Sequence, residues 1–138
     1  MEIIVYGTPA PQGSKRHVGG GVMVESSKKV KPWRQDVKFA ALQARAGAQP
    51  IDDPVCMRVV FTLPKPASAP KRKRTFPSRK PDIDKLLRST LDALTDAGIF
   101  SDDARVVEFT RLAKVFPGDD EESLDSPGVR IVVERIAA

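Results

Sequence analysis

The chain has 138 residues and a single cysteine, so the length fits one domain spanning 1–138 and no intramolecular disulfide can form. No apolar run approaches the roughly 20 residues of a membrane span, which leaves no membrane partner expected. The net charge of +5 is unevenly spread. Residues 1–80 carry 16 Lys+Arg against 5 Asp+Glu, and residues 81–138 carry 7 against 13, which sets a polyanion-binding half beside an acidic one.

The opening MEIIVYG is too short and too acidic at its start for a secretory signal, so a reducing cytoplasmic setting is the expectation. Residues 2–6 read as a short strand rich in Ile, Val and Tyr. A Pro/Gly-punctuated loop is expected over 8–16, then a tight turn at Gly19, Gly20 and Gly21, with 22–24 pairing as a hairpin strand. The loop superficially resembles a phosphate-binding loop, but Ser14 precedes Lys15 after five intervening residues and the pattern fails. Lys15 and Arg16 remain as basic contacts, and His17 alone cannot build a zinc site.

A helix is expected from near Lys31, capped by Ser26 or Ser27, with Pro32 at its first position. Trp33, Val37, Ala40, Ala41 and Ala44 form its apolar stripe, and Gly47 and Pro50 stop it. Trp33 reads as a core or dimer anchor rather than a base-stacking platform. Residues 55–63 form the clearest strand. Its imperfect alternation implies apolar cover on both faces, with Cys56 as a small core residue.

Residues 64–81 hold five prolines and seven Lys/Arg. That composition forbids a helix interior or central strand and predicts a long exposed loop, mobile unless bound. A second helix follows over 82–97, with Asp82 or Asp84 as cap, Leu87, Leu91 and Leu94 on one face, and Gly98 as its stop. A tight connection over 99–103, a strand over 105–116, an acidic loop over 117–127 and a last strand over 129–136 complete the chain. The fold class is α/β in the α+β sense. A small mixed sheet of four to five strands packs on two main helices, in the order β-(β)-α-β-α-β-β.

The chemistry concentrates in four aspartates. Asp82 and Asp84 flank one residue at a helix start, and Asp102 and Asp103 follow the same helix. Clustered carboxylates repel unless a cation or a proton neutralises them. Oxygen ligands without His or Cys suit Mg²⁺, with Mn²⁺ as a substitute, and do not suit structural zinc. A metal held this way activates water and neutralises phosphate. Lys85 or Arg88 is placed to stabilise charge on a scissile phosphate. Each of these residues also has a plain reading: aspartates cap helices, and Asp84, Arg88 and Asp92 are spaced for surface ion pairs. A helix of about 14 residues spans about 21 Å, so the two aspartate pairs meet only if the later turn packs back over the helix start or a second subunit supplies it.

The run KPDIDKLLRSTLDALTDAGIFSDDARVVEFTRLAKVF resembles the RusA-type Holliday junction resolvases over residues 80–116. The family pattern is roughly D-x-D-N-L-x-K, then D-A-L, then D-D-x-Q-V. The resemblance implies catalytic roles for Asp82, Asp84 and Asp103, with Asp102 beside them at the metal. Arg88 stands where the family has lysine, Lys85 where it has asparagine, and Arg105 where it has glutamine. The catalytic cation is therefore Arg88 or Lys85. The resemblance also implies a Mg²⁺-dependent homodimer that cuts four-way DNA junctions by paired nicks. Lys71, Arg72, Lys73, Arg74, Arg79 and Lys80, together with Lys15 and Arg16, are the expected DNA contacts. Two alternatives stand beside this reading. One is a non-catalytic DNA- or RNA-binding accessory protein, and the other is a phosphoesterase for small substrates, against which the long basic loop argues.

Overall fold

The computed structural model describes residues 1–12, 15–17, 23–25 and 28–136, with side chains described outside 15–17 and 23–25. Among the described residues, six strands and two helices follow in chain order: β1 (Glu2–Tyr6), β2 (Lys15–His17), β3 (Met23–Glu25), α1 (Val30–Arg45), β4 (Val55–Thr62), α2 (Ile83–Asp96), β5 (Val106–Val115) and β6 (Gly128–Arg135). A 3₁₀ turn, Asp103–Arg105, leads into β5. The main sheet has the order β1-β6-β4-β5, and β2 and β3 form a separate hairpin. The β1–β6 and β6–β4 pairs are antiparallel, and β4–β5 is parallel. A parallel neighbour requires a crossover, and α2 is that crossover. The expected mixed sheet with two helices is present. The expected loop at 8–16 differs at its end, because Lys15 and Arg16 lie in β2, opposite Glu25 and Val24.

Both helices lie on one face of the sheet. Alternate residues of three strands point there: Ile3 and Val5 from β1, Val55, Met57, Val59 and Phe61 from β4, and Val129, Ile131 and Val133 from β6. Trp33, Val37 and Ala41 from α1 meet Leu86, Ala93 and Leu94 from α2 in the same cluster. Trp33 is a core residue, and its indole N–H donates to Thr90 Oγ1 at 3.3 Å. Full burial of a leucine such as Leu86 or Leu94 contributes about 1.5–3 kcal/mol.

The other face of β4 is also covered, as its imperfect alternation implied. Val60 and Thr62 are fully buried, and the Leu124 N–H donates to Thr62 Oγ1 at 2.9 Å. The cover is the acidic loop between β5 and β6. Gly128 permits its close approach, since a Cβ there would fall 2.0 Å from the Val5 carbonyl oxygen and 2.8 Å from Leu124. Cys56 departs from expectation: it lies on this second face, only partly buried.

Helix α2 ends as its glycine predicted. Gly98 has φ +77°, its N–H donates to Thr95 O, and the Ile99 N–H donates to Leu94 O. These two bonds close a Schellman motif. The chain then pairs with Ile51 through Ile51 N–H to Ile99 O and Ser101 N–H to Ile51 O. That bridge directs the chain to the start of β5, level with the start of β4, where Val106 faces Val55.

Candidate active site

Asp82 occupies the N-cap of α2 in extended backbone, yet its carboxylate accepts no bond from the helix N–H groups. The capping reading of this residue therefore does not describe its side chain. Its neighbour is Lys85, whose ammonium lies 3.8 Å from Asp82 Oδ2. Asp84 sits in the first turn, exposed, where the positive end of the helix dipole favours a carboxylate. Arg88 is one turn further on and also exposed, and among the described residues it makes no ion pair with Asp84 or Asp92.

The backbone that delivers Asp82 is fastened from two sides. The Lys114 ammonium, on β5, donates to the carbonyls of Arg79 at 3.0 Å and Pro81 at 2.9 Å. On the other side the 8–12 segment is tied to α2: the buried Ser89 hydroxyl donates to Ala10 O at 2.7 Å, and the Gln12 N–H donates to Lys85 O at 2.9 Å.

Asp102 and Asp103 form a different arrangement. The Asp102 carboxylate accepts from the Ala104 N–H at 2.7 Å and so caps the 3₁₀ turn. This bond and a hydrogen bond from the Asp103 carboxyl hold Asp102 below the ordinary carboxylate range. Asp103 is pushed the other way, first by that hydrogen bond, then by burial, and then by the charges of Asp102 and Asp92. Neighbouring like charges oppose each other's ionisation, which is why the two carboxyls are moved in opposite directions. Arg105, at the family's glutamine position, turns to Asp52 at 2.9 Å.

The two aspartate pairs do not meet within one chain. Asp103 feels Asp92, two turns and about 12 Å along the helix from Asp84. The parallel strand leaves from the far end of α2, so the later turn does not fold back over the helix start. Among the described residues, no three His, Cys, Asp or Glu side chains gather closely enough to hold a metal by themselves. The donor set still suits a hard cation, because Mg²⁺ needs only one or two carboxylates and keeps water and phosphate oxygens for the rest. Asp82 and Asp84 offer oxygen donors that no cap consumes.

The basic loop is less free than its composition implied. Lys65 pairs with Asp119 at 2.7 Å and also lies 5.9 Å from the Phe116 ring centroid. The Thr75 N–H donates to the same Asp119 carboxylate at 3.3 Å. Arg74 is bound to Asp120 at 3.0 Å, so its guanidinium is committed within the protein. Asp120 also takes both guanidinium nitrogens of Arg111, at 2.9 and 2.7 Å, and Glu122 bridges Arg111 and Arg58. Lys71, Arg72, Lys73, Arg79 and Lys80 are exposed and form no side-chain ion pair among the described residues. The side chains of Lys15 and Arg16 lie outside those described.

Sequence reasoning missed three contributors. Asp92 was legible only as a surface ion-pair partner, although its charge acts on Asp103. Lys114 gave no signal within its amphipathic strand. The acidic loop read as a solvated connection, although its charge opposite a basic loop hinted at pairing.

The family model described as endodeoxyribonuclease RusA matches residues 6–134. A comparison with curated proteins returned no match.

Proposed function

The chain belongs to the RusA endodeoxyribonuclease family, and from that premise we propose that it is a divalent-metal-dependent nuclease that resolves four-way DNA junctions by paired phosphodiester cuts. The observation that carries this reading is the Asp82 carboxylate, set at a helix start but unused as a cap, directly after a basic loop. A divalent cation, Mg²⁺ or Mn²⁺, supplies Lewis acidity and a water of lowered pKa when bound. Asp82 and Asp84 hold the cation. Lys71, Arg72, Lys73, Arg79 and Lys80 hold the flanking phosphates and set the register of the strand. Arg88, exposed and without an ion pair among the described residues, offers the bidentate fork suited to a phosphate oxygen. Lys85 is already engaged with Asp82 and is better placed to hold that carboxylate in position.

The third carboxylate comes from a partner subunit in this reading. Strand β5 is the sheet edge and carries the exposed Val107. An open edge is a template for pairing. Antiparallel pairing of β5 with its twin across a two-fold axis sets the start of one strand beside the end of the other. Asp102 and Asp103 lie at the start, and Lys114, which grips Pro81 next to Asp82, lies near the end. Two sites related by the axis also suit two symmetric cuts.

The test is incubation with a synthetic four-way junction and a linear duplex, with and without Mg²⁺. Paired nicks in the junction, only with metal, are the expected result. Tight binding without nicking in Mg²⁺ or Mn²⁺ would establish the accessory-protein reading instead, whose support is the departure from the family pattern at Lys85 and Arg88.

A further inference from the structure

A hollow of about 500 Å³ opens beside Asp82, between the 8–11 segment and the basic loop. Its floor is apolar, formed by the buried Ala10, Leu63, Pro77 and Phe116, and Phe76 lines it as well. Its rim is cationic, with Lys29, Arg79 and Lys80, and among the described residues no carboxylate lines it. Phe76 is 65% exposed, an unusual state for phenylalanine. The Arg74 guanidinium lies 4.8 Å from its ring centroid, and Arg74 is itself fixed by Asp120. The ring is therefore backed by a cation that the acidic loop holds, and it is presented to solvent rather than packed away. Pro81, which also lines the hollow, is bonded to Asp82.

We infer that this hollow receives an unpaired nucleobase of the DNA strand being cut, stacked on Phe76, with its phosphates on the basic rim. The inference rests on the nuclease reading above and adds how branched DNA is told from duplex. A hollow of this size is ample for one flat base. An apolar floor inside a positive rim matches a base carried on a phosphate backbone. Stacking on an aromatic side chain accepts any base, because each has a π-face. Taking a base out of a duplex costs unpairing and unstacking, and the cost is least where pairing is already broken. The hollow thus rewards a branch point and penalises a continuous helix.

The test uses metal-free protein, so that binding is read without cleavage, on a fully paired duplex and on a four-way junction. Phe76→Ala is expected to weaken junction binding about tenfold and to leave duplex binding unchanged, whereas Phe76→Trp keeps the wild-type preference. In the wild type, 5-iodouracil placed unpaired at the branch point is expected to crosslink under ultraviolet light to the peptide containing Phe76. A crosslink elsewhere, or equal binding losses on both substrates with Phe76→Ala, overturns the inference. Wild-type protein that neither binds nor cuts the junction removes the nuclease reading as well. Wild-type protein that cuts in Mg²⁺, with Phe76→Ala retaining full junction preference, removes the base pocket alone.

Discussion

The Lys114 ammonium donates to the Pro81 carbonyl at 2.9 Å, linking the edge strand to the residue before Asp82. Lys114 touches none of the aspartates, so it acts by positioning. Lys114→Met keeps the stem that packs on the strand and removes the donor. A charged hydrogen bond contributes about 1.5–3 kcal/mol, and the lower end applies here because the group is partly exposed. The expected outcome is a modest fall in denaturation midpoint together with at least a tenfold fall in nicking rate, with junction affinity kept. An unchanged nicking rate would show that the Pro81–Asp82 segment holds itself.

Mixing two inactive variants tests the shared site. Asp82→Asn and Asp103→Asn are each expected to abolish cleavage and keep junction binding. In a mixed dimer with composite sites, one site carries both substitutions and the other carries none. Nicking of one strand should return on mixing, to about a quarter to a half of wild type under random subunit exchange. No recovery despite proven exchange would place all catalytic carboxylates in one chain.

Salt dependence reports the free basic groups. Lys71, Arg72, Lys73, Arg79 and Lys80 together predict a log K against log salt slope of about −4.5. Arg74 is paired with Asp120, so Arg74→Ala should leave the slope unaltered, while Lys71→Ala should reduce it by about 0.9. A slope near zero in the wild type would remove the loop from DNA binding.

Acid sensitivity should centre on the loop between β5 and β6. The Asp120 side chain is only 7% exposed, and the Arg111 hydrogen bonds hold its carboxyl well below the usual range. Lys65 does the same to Asp119, and Arg58 to Glu122. Folded-state values below the unfolded ones mean that this stability is complete above the unfolded carboxylate pKa of about 4. It is lost as pH falls through the folded values. The denaturation midpoint should fall steadily below pH of about 5, and Asp120→Asn should flatten that fall while costing about 2–3 kcal/mol at neutral pH. A midpoint unaffected by Asp120→Asn would mean that the arginines find other partners.

The elements of this fold were legible where local chemistry decides them. The Gly98 stop of α2 corresponds to an observed feature. The start of α1 does not: the helix begins at Val30 with Lys29 rather than Ser26 or Ser27 at its N-cap, so Pro32 is its third residue. Of the expected leucines of α2, Leu94 is buried and Leu87 and Leu91 only partly, while Leu86 is the one the spacing missed. The doubly covered β4 was readable from its apolar run. What escaped the sequence was long-range. The Lys114–Pro81 bond spans 33 residues and Arg58–Glu122 spans 64. Nothing in local pattern ties such positions together. The aspartates show both sides of this. Their motifs were visible, but whether the two pairs meet depended on the direction of β5, which is a property of the sheet.

The placement of charge along α2 has an energetic consequence. The helix carries Asp84 in its first turn and no basic residue in its last. Its carboxyl end gathers Asp92 and Asp96 with Asp103 nearby, where the macrodipole is already negative. Arg34, at 3.0 Å from Asp96, offsets one of these charges. The remainder is an electrostatic load with no ion-pair partner among the described residues. For a cation that only the folded chain binds, as the nuclease reading has it, binding and folding are one equilibrium. A divalent ion held by Asp82 and Asp84 should raise thermal stability, by about 1.4 kcal/mol when the ion is in tenfold excess over its Kd. A thermal melt repeated over a range of Mg²⁺ concentrations would read this coupling directly, with no DNA present.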